Sequence, residues 1–256
     1  MDRVRGPRPA SGRGGPPALL SALLGLTGLV LAGCHSASTA APSASASPGL
    51  SVPGTHRTTT TYQVSAPVST VVVVGHAGNV TVTGGSGPTV SVTQQADYSR
   101  TPPTTTRTVS GNTLTVTYSC PTQVVCGVAY TLQVPRSVAV QVSTGAGTVR
   151  LAGLAGSVTA KADAGLISAT GLTCASASLT TNVGAISASF AAAPTTVQAS
   201  ANVGAITLHV PGTTSYKVTA NAHVGKATVS TTQSPSSAHA ITATTDVGAI
   251  VIAPSS

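Results

Sequence analysis

Between residues 137 and 256 apolar and polar positions alternate in short runs, and the runs return in phase with a glycine at Gly147, Gly165, Gly184, Gly204, Gly225 and Gly248. Seven residues before each stand Val140, Val158, Ala177, Val197, Val218 and Ile241; five before stand Val142, Ala160, Leu179, Ala199, Ala220 and Ala243. Two after come Val149, Ile167, Ile186, Ile206, Ala227 and Ile250. Polar columns lie between them, beginning with Gln141, Thr159, Ser178, Gln198, Thr219 and Thr242. Period-two alternation predicts strands with one dry face. A glycine spacing of 18 to 23 residues predicts units that cannot bury their faces alone and therefore stack. The column two before the glycine reads Gly145, Asp163, Asn182, Asn202, His223 and Asp246, residue types that tolerate a left-handed corner. Residues 137–256 are thus predicted to be all-β, a β-solenoid or β-helix-like stack of about six strand-turn-strand repeats of ~20 residues each. Stacking in chain order leaves the unit around Ala249 to Ile252 as an uncovered end.

Residues 62–136 carry shorter signals: Val71 to Val74, Val80 and Val82, Val90 and Val92, Leu114 and Val116, Leu132 and Val134, separated by Gly, Pro and Asn turns. Ala77-Gly78-Asn79-Val80 reads as a degenerate first copy of the repeat. Tyr98, Tyr118 and Tyr130 fall here, and the segment is predicted to be a larger-cored, partly antiparallel β cap. Arg100 to Arg107, with two prolines and a threonine run, reads as an exposed mobile loop.

The chain before the cap has a different character. Residues 1–33 read as an export signal, with Arg3, Arg5, Arg8 and Arg13 ahead of an apolar stretch from Ala18 to Ala32 that is too short for a comfortable membrane span. Leu31-Ala32-Gly33-Cys34 resembles the bacterial lipobox, and the resemblance implies cleavage before Cys34 and lipidation of that cysteine. More than one acyl chain makes such anchoring stable. Residues 34–61, after Cys34 mostly Ser, Ala, Thr and Pro, read as a flexible tether that holds the folded part off the outer face of the cell membrane.

Charge narrows the partners. Beyond the leader, eight basic residues face three aspartates, a formal net charge of +5, and the basic residues are scattered without interleaved aromatics. That pattern argues against nucleic acid. Cys120 and Cys126 flank a Pro-containing turn, a spacing that favours a local disulfide in an exported chain over a zinc site. Cys174 has no evident partner and reads as a small buried residue at a coil corner.

The glycine-centred repeat, the Cys120 and Cys126 pair followed by Tyr130-Thr131-Leu132-Gln133-Val134-Pro135, and the lipobox together resemble the bacterial putative-adhesin family of β-strand-repeat proteins, a domain of unknown function. The resemblance covers roughly Val71 to Ile252. It implies a β-helix-like or rolled β fold at the cell surface. The middle copies depart from the family's Gly-Ser-Gly-Asp-Val pattern, with Asn-Val-Gly-Ala-Ile in its place.

Catalytic readings find little to stand on. Glycoside hydrolysis needs two carboxylates about 5 to 10 Å apart, whereas the chain has no glutamate and only Asp97, Asp163 and Asp246 beyond the leader. Stacking in chain order puts Asp163 and Asp246 four coils, about 19 Å, apart. His209 and His223 have no Gly-x-Ser-x-Gly elbow to serve, and no aspartate recurs in every coil as calcium repeats require. The expectation is therefore a non-catalytic, lipid-anchored envelope protein without cofactor or metal. It presents Thr, Ser and Gln columns, Gln141 and Gln198 among them, to cell-wall glycan or a surface protein. The alternative is a β-helix-type enzyme acting on envelope polysaccharide, which convergence of any two of Asp97, Asp163 and His223 in a groove would favour.

Overall fold

A computed structural model describes residues 54–255 as two facing β-sheets wound from one chain. The expected export leader 1–33, the expected lipidation site Cys34, and the 34–53 part of the expected tether lie outside the described residues. Chain order begins with β1 (His56–Val64), β2 (Thr70–Ala77) and β3 (Val80–Gly85), then β4 (Val90–Tyr98), β5 (Thr104–Ser110), β6 (Thr113–Ser119) and β7 (Cys126–Pro135). The regular coils follow as strand pairs: β8 (Ala139–Ala146) with β9 (Val149–Ala152), β10 (Val158–Ala164) with β11 (Ile167–Leu172), and β12 (Ser176–Val183) with β13 (Ile186–Phe190). The last three are β14 (Thr196–Val203) with β15 (Ile206–Val210), β16 (Lys217–Val224) with β17 (Ala227–Val229), and β18 (Ala240–Val247) with β19 (Ile250–Pro254).

The first strand of each coil enters a nine-stranded sheet and the second a ten-stranded one. Neighbouring coils pair in parallel, in the register that the glycine alignment predicts: Val140 beside Val158, Val158 beside Ala177, Ala177 beside Val197. The dry columns meet between the sheets, where Val140, Ala160, Leu179, Ala199, Ile206 and Ile250 are among the buried residues. Each coil contributes few and small side chains, so burial accumulates along the stack rather than within a unit.

The corner between the two strands of a coil is made by the glycine itself. Gly147, Gly165, Gly184, Gly204, Gly225 and Gly248 have φ between +137° and +153°, a region L side chains rarely enter. Asp163, Asn182, Asn202, His223 and Asp246 lie in the ends of the preceding strands, which corrects the assignment of the left-handed residue to their column. A second constraint coincides with the first: a Cβ on Gly204 would overlap the carbonyl oxygen of Gly184, and the same holds for Gly184 over Gly165 and Gly248 over Gly204. Thr181 and Thr245, buried three residues before their glycines, donate to the carbonyls of Gly165 and Gly204 at 3.4 and 3.0 Å.

Coil order departs from chain order near the end. β18 pairs with β14 on one side and β16 on the other, and β19 lies between β15 and β17. The 240–254 coil is thus inserted, and the 217–229 coil is terminal, so the uncovered end is not at Ala249 to Ile252. The insertion also brings Asp163 and Asp246 to three strand spacings, about 14 Å. Residues 230–239, a long return loop, cross back over the last coil to make the insertion possible.

Toward the other end β2 and β3 form a further coil, beside β8 and β9 in parallel register, with Gly78 at its corner. β6 and β7 add one more, closed at its corner by the Cys120–Cys126 disulfide, S–S 2.03 Å. β4 and β5 run antiparallel to β7 and β6, and β1 runs antiparallel to β4. Strand β1 takes in His56 to Thr61, placed above in the tether, and β5 takes in Thr104 to Arg107, placed above in a mobile loop. Threonine is β-branched and suits a pleated backbone; without apolar alternation only the pairing to β4 and β6 reveals these strands.

Candidate functional site

Three features, two of them longitudinal stripes, mark the outside of the stack. The first is the outer face of the nine-stranded sheet, where Gln141, Thr159, Ser178, Gln198, Thr242 and Thr219 fall in register on successive strands. A second row parallel to it runs Ser143, Lys161, Thr180, Ser200, Thr244, Asn221. Hydroxyls and amides repeat every ~4.8 Å along these rows, with Lys161 as their one cation. A shallow cavity of about 240 Å³ opens there, lined by Val72, Val74, Gln141, Ser143, Thr159 and Lys161.

The second stripe runs along the glycine corner. In stack order it reads Asp163, Asn182, Asn202, Asp246, His223, all exposed. The Asn202 amide donates to Asn182 Oδ1 at 2.6 Å, and His223 Nδ1 lies 3.0 Å from Asp246 Oδ1. Beside it Val183, Val203, Val247 and Val224 pair in register and stand open to solvent, Val224 at 63% exposure. Alternation alone assigns these valines to the interior. The glycine corner turns them outward, and an apolar residue immediately before each glycine is the signal that sequence reasoning passed over.

The third feature is a concavity of about 630 Å³ at the far ends of β11, β13 and β15. Gly171, Ser189, His209, Pro211, Gly212 and Ser255 are among its lining. Ser189 and His209 are register neighbours, and Ser189 Oγ accepts from the Gly171 amide at 3.2 Å. No carboxylate is among those lining residues, so the acid pair needed for glycoside hydrolysis is missing at this groove.

The sequence-predicted groups are otherwise dispersed. Asp97 lies on β4 against Arg57, whose Nε is 2.6 Å from Asp97 Oδ1, and this bond raises the guanidinium pKa. Neither Asp163 nor Asp97 approaches His223 through any bond; His223 meets Asp246 instead. Among the described residues no group of three or more His, Cys, Asp or Glu is placed to hold a metal ion. Cys174 is 1% exposed in the short turn between β11 and β12, and burial pushes its thiol up. Tyr118 and Tyr130 pack 6.3 Å apart, while Tyr98 stacks on His56 instead of joining them. Burial, with neighbouring Tyr62 and Tyr118, raises the Tyr130 phenol well above its ordinary range.

No family model and no curated protein matches the chain. Among solved structures it is similar to a putative cell adhesion protein from Clostridium sporogenes, at 13% identity over 78% of this chain and 100% of that one, TM-score 0.42. It is similar also to a putative adhesin from Bacteroides fragilis, at 16% identity over 77% of this chain and 97% of that one, TM-score 0.46. A putative adhesin from Parabacteroides distasonis aligns at 12% identity over 78% and 97%, TM-score 0.30.

Proposed function

We propose that the protein is a non-catalytic module of the cell envelope, held to the membrane through lipid on Cys34, which binds a repeating partner along its Thr, Ser and Gln face. The observation that carries this reading is the register of Gln141, Thr159, Ser178 and Gln198 on successive strands. Hydroxyl and amide groups repeating at strand spacing match a polymer whose own groups repeat, such as wall glycan, or an extended segment of a surface protein. Lys161, in the adjoining row, offers one charge-assisted hydrogen bond to an anionic substituent.

The dispersal of acids supports binding over turnover. Asp97 is engaged by Arg57, and Asp163 and Asp246 stand about 14 Å apart, beyond the reach of one glycosidic bond.

The test is capture of the tethered protein on purified cell-wall fractions, with Gln141→Ala, Lys161→Ala and Gln198→Ala made singly and together. Capture should fall stepwise, about tenfold or more in the triple variant. Undiminished capture would remove this face from consideration. Anchoring is checked separately by labelled palmitate, which should reach the wild type and not Cys34→Ala.

A further inference from the structure

The two ends of the stack are built differently. At the β1 end the sheets stop at different levels, because β1 extends the ten-stranded sheet with no strand opposite it in the other. A cavity of about 250 Å³ opens there, lined by Tyr62, Gln94, Thr105 and Arg107 among others, so polar side chains stand at the mouth of the interior. Arg107, paired with buried Val116, lies 4.5 Å above the Tyr62 ring, and the Gln94 amide donates to Thr105 Oγ1 at 3.1 Å. An inward charge on an edge strand is a device that keeps a sheet from adding further strands.

The β16 and β17 end carries no such device. Both edge strands belong to one coil, so the two sheets finish flush. Their inward residues Val218, Ala220, Ala222 and Val229 are only half-buried and Ala227 is exposed, while Ile241, Ala243, Ile250 and Ile252 in the next coil are buried. The return loop covers one corner alone: the Tyr216 amide donates to Thr232 and the Ser234 amide to Tyr216, each at 2.9 Å. Past that corner the outer edges of both strands face away from every other strand among the described residues.

We propose that this flush end is a self-association face, on which a second copy of the chain docks head to head, β16 against β16 and Val229 of β17 against Val229. A two-fold axis perpendicular to the sheets turns each edge onto itself in antiparallel sense, and antiparallel pairing places same-face residues opposite one another. With the axis through Asn221 and Val229, each four residues from Gly225, inward Ala220 meets Ala222 of the second copy and Val229 meets its twin. Outward Asn221 meets Asn221 and Thr219 meets His223, so no like charges face each other, and the pairing stops short of Lys217, beside which Gln233 and Ser234 lie. An eight-residue strand of about 26 Å, across a cross-section about 20 Å deep once the outer side chains of both sheets are added to their ~10 Å separation, gives roughly 1,000 Å² buried over the two copies, the lower limit for a specific interface. The dimer is therefore reversible, and since the stepped end with its inward Arg107 does not match the flush one, it closes without growing into fibres. This inference does not depend on the polymer-binding face.

The experiment uses the full chain with Cys34→Ser, followed by sedimentation velocity from about 1 to 200 μM. Dimers should accumulate across that range, and Ala220→Lys should weaken association at least tenfold, its far-UV spectrum certifying the fold. Asn221→Cys, outward and away from the core, keeps the test decisive if Ala220→Lys fails to fold. Under mild oxidation it should give a disulfide-linked dimer, while Thr108→Cys on β5 at the opposite end stays monomeric. A monomer at every concentration with no N221C cross-link overturns the proposal. So does cross-linking through Thr108, or a mixed Thr108–Asn221 product from the two cysteine variants, because these mean tail-to-tail or head-to-tail contact.

Discussion

Replacing Gly204 by alanine tests the corner ladder directly. Gly204 sits at φ +153°, a conformation that costs a residue with a Cβ about 1–3 kcal/mol. Its new methyl would also overlap the Gly184 carbonyl, with the Gly184 carbon 2.6 Å and the Ala185 nitrogen 3.4 Å away. Relief requires one coil to move off the next by about 1 Å. That displacement loosens the flanking Gly184-to-Val203 and Ile186-to-Ala205 hydrogen bonds, both 2.9 Å, each worth about 1 kcal/mol net. Together these come to roughly 3–5 kcal/mol, a large share of the 5–15 kcal/mol typical of a whole domain. At about 2–4 °C per kcal/mol for a unit of this size, the thermal midpoint should fall by about 6–20 °C. Gly171→Ala is the matched control: Gly171 also has positive φ, +60°, but nothing lies within 4 Å of its added Cβ. It should lose only about 1–2 kcal/mol, the penalty of a left-handed alanine. Calorimetry and urea titration of the two variants decide the matter, and equal losses would refute the claim that the corners are packed against one another.

Tyr130→Phe removes a buried hydroxyl with no hydrogen-bond partner among the described residues, so stability at pH 7 should hold or rise by about 1 kcal/mol in urea titration. Because burial raises the folded-state phenol pKa, the native state retains a proton that the unfolded chain gives up; wild-type stability should decline as pH climbs past about 10, and less steeply in Tyr130→Phe. Breaking the Cys120–Cys126 bridge, which closes a loop of six-residue separation, should cost about 2 kcal/mol, read as a lower urea midpoint for the double serine variant. Cys174 should resist a thiol reagent at pH 8 in the native protein and react once in denaturant, since its thiol is buried and its pKa raised.

The alternation of Val140, Val142 and Thr144 with Gln141 and Ser143 is enough to define a strand, its buried face and its register against the next coil. Glycine spacing then supplies the stack. What escaped lies where local pattern is degenerate. Val218, Ala220 and Ala222 satisfy the same columns as Ile241, Ala243 and Thr245, so alternation cannot say which coil is outermost. The physical clues were weak: Ala227 where the other coils carry Val or Ile, Lys226 in an otherwise mostly small or apolar column, and the widest glycine interval, 23 residues. Small inward residues suit a rung that is covered on one side only. The exposed valines were hidden for a related reason, since alternation is a rule for straight strands and fails across a left-handed corner. The outward rows of Gln and Thr were legible as a face, but a polar face names no ligand.

The inserted rung sets an order of events on any chain made and threaded from its N-terminus. Residues 217–229 emerge first, yet their native seat is the surface of a segment that has not yet appeared. They must wait, exposed, until 240–254 arrives and slides in beneath them. A stop codon or a protease cut near residue 239 would therefore unmake two rungs, not one, and leave β14 and β15 as a ragged new terminus. Those fifteen residues are a keystone, the seat on which the outermost described rung rests.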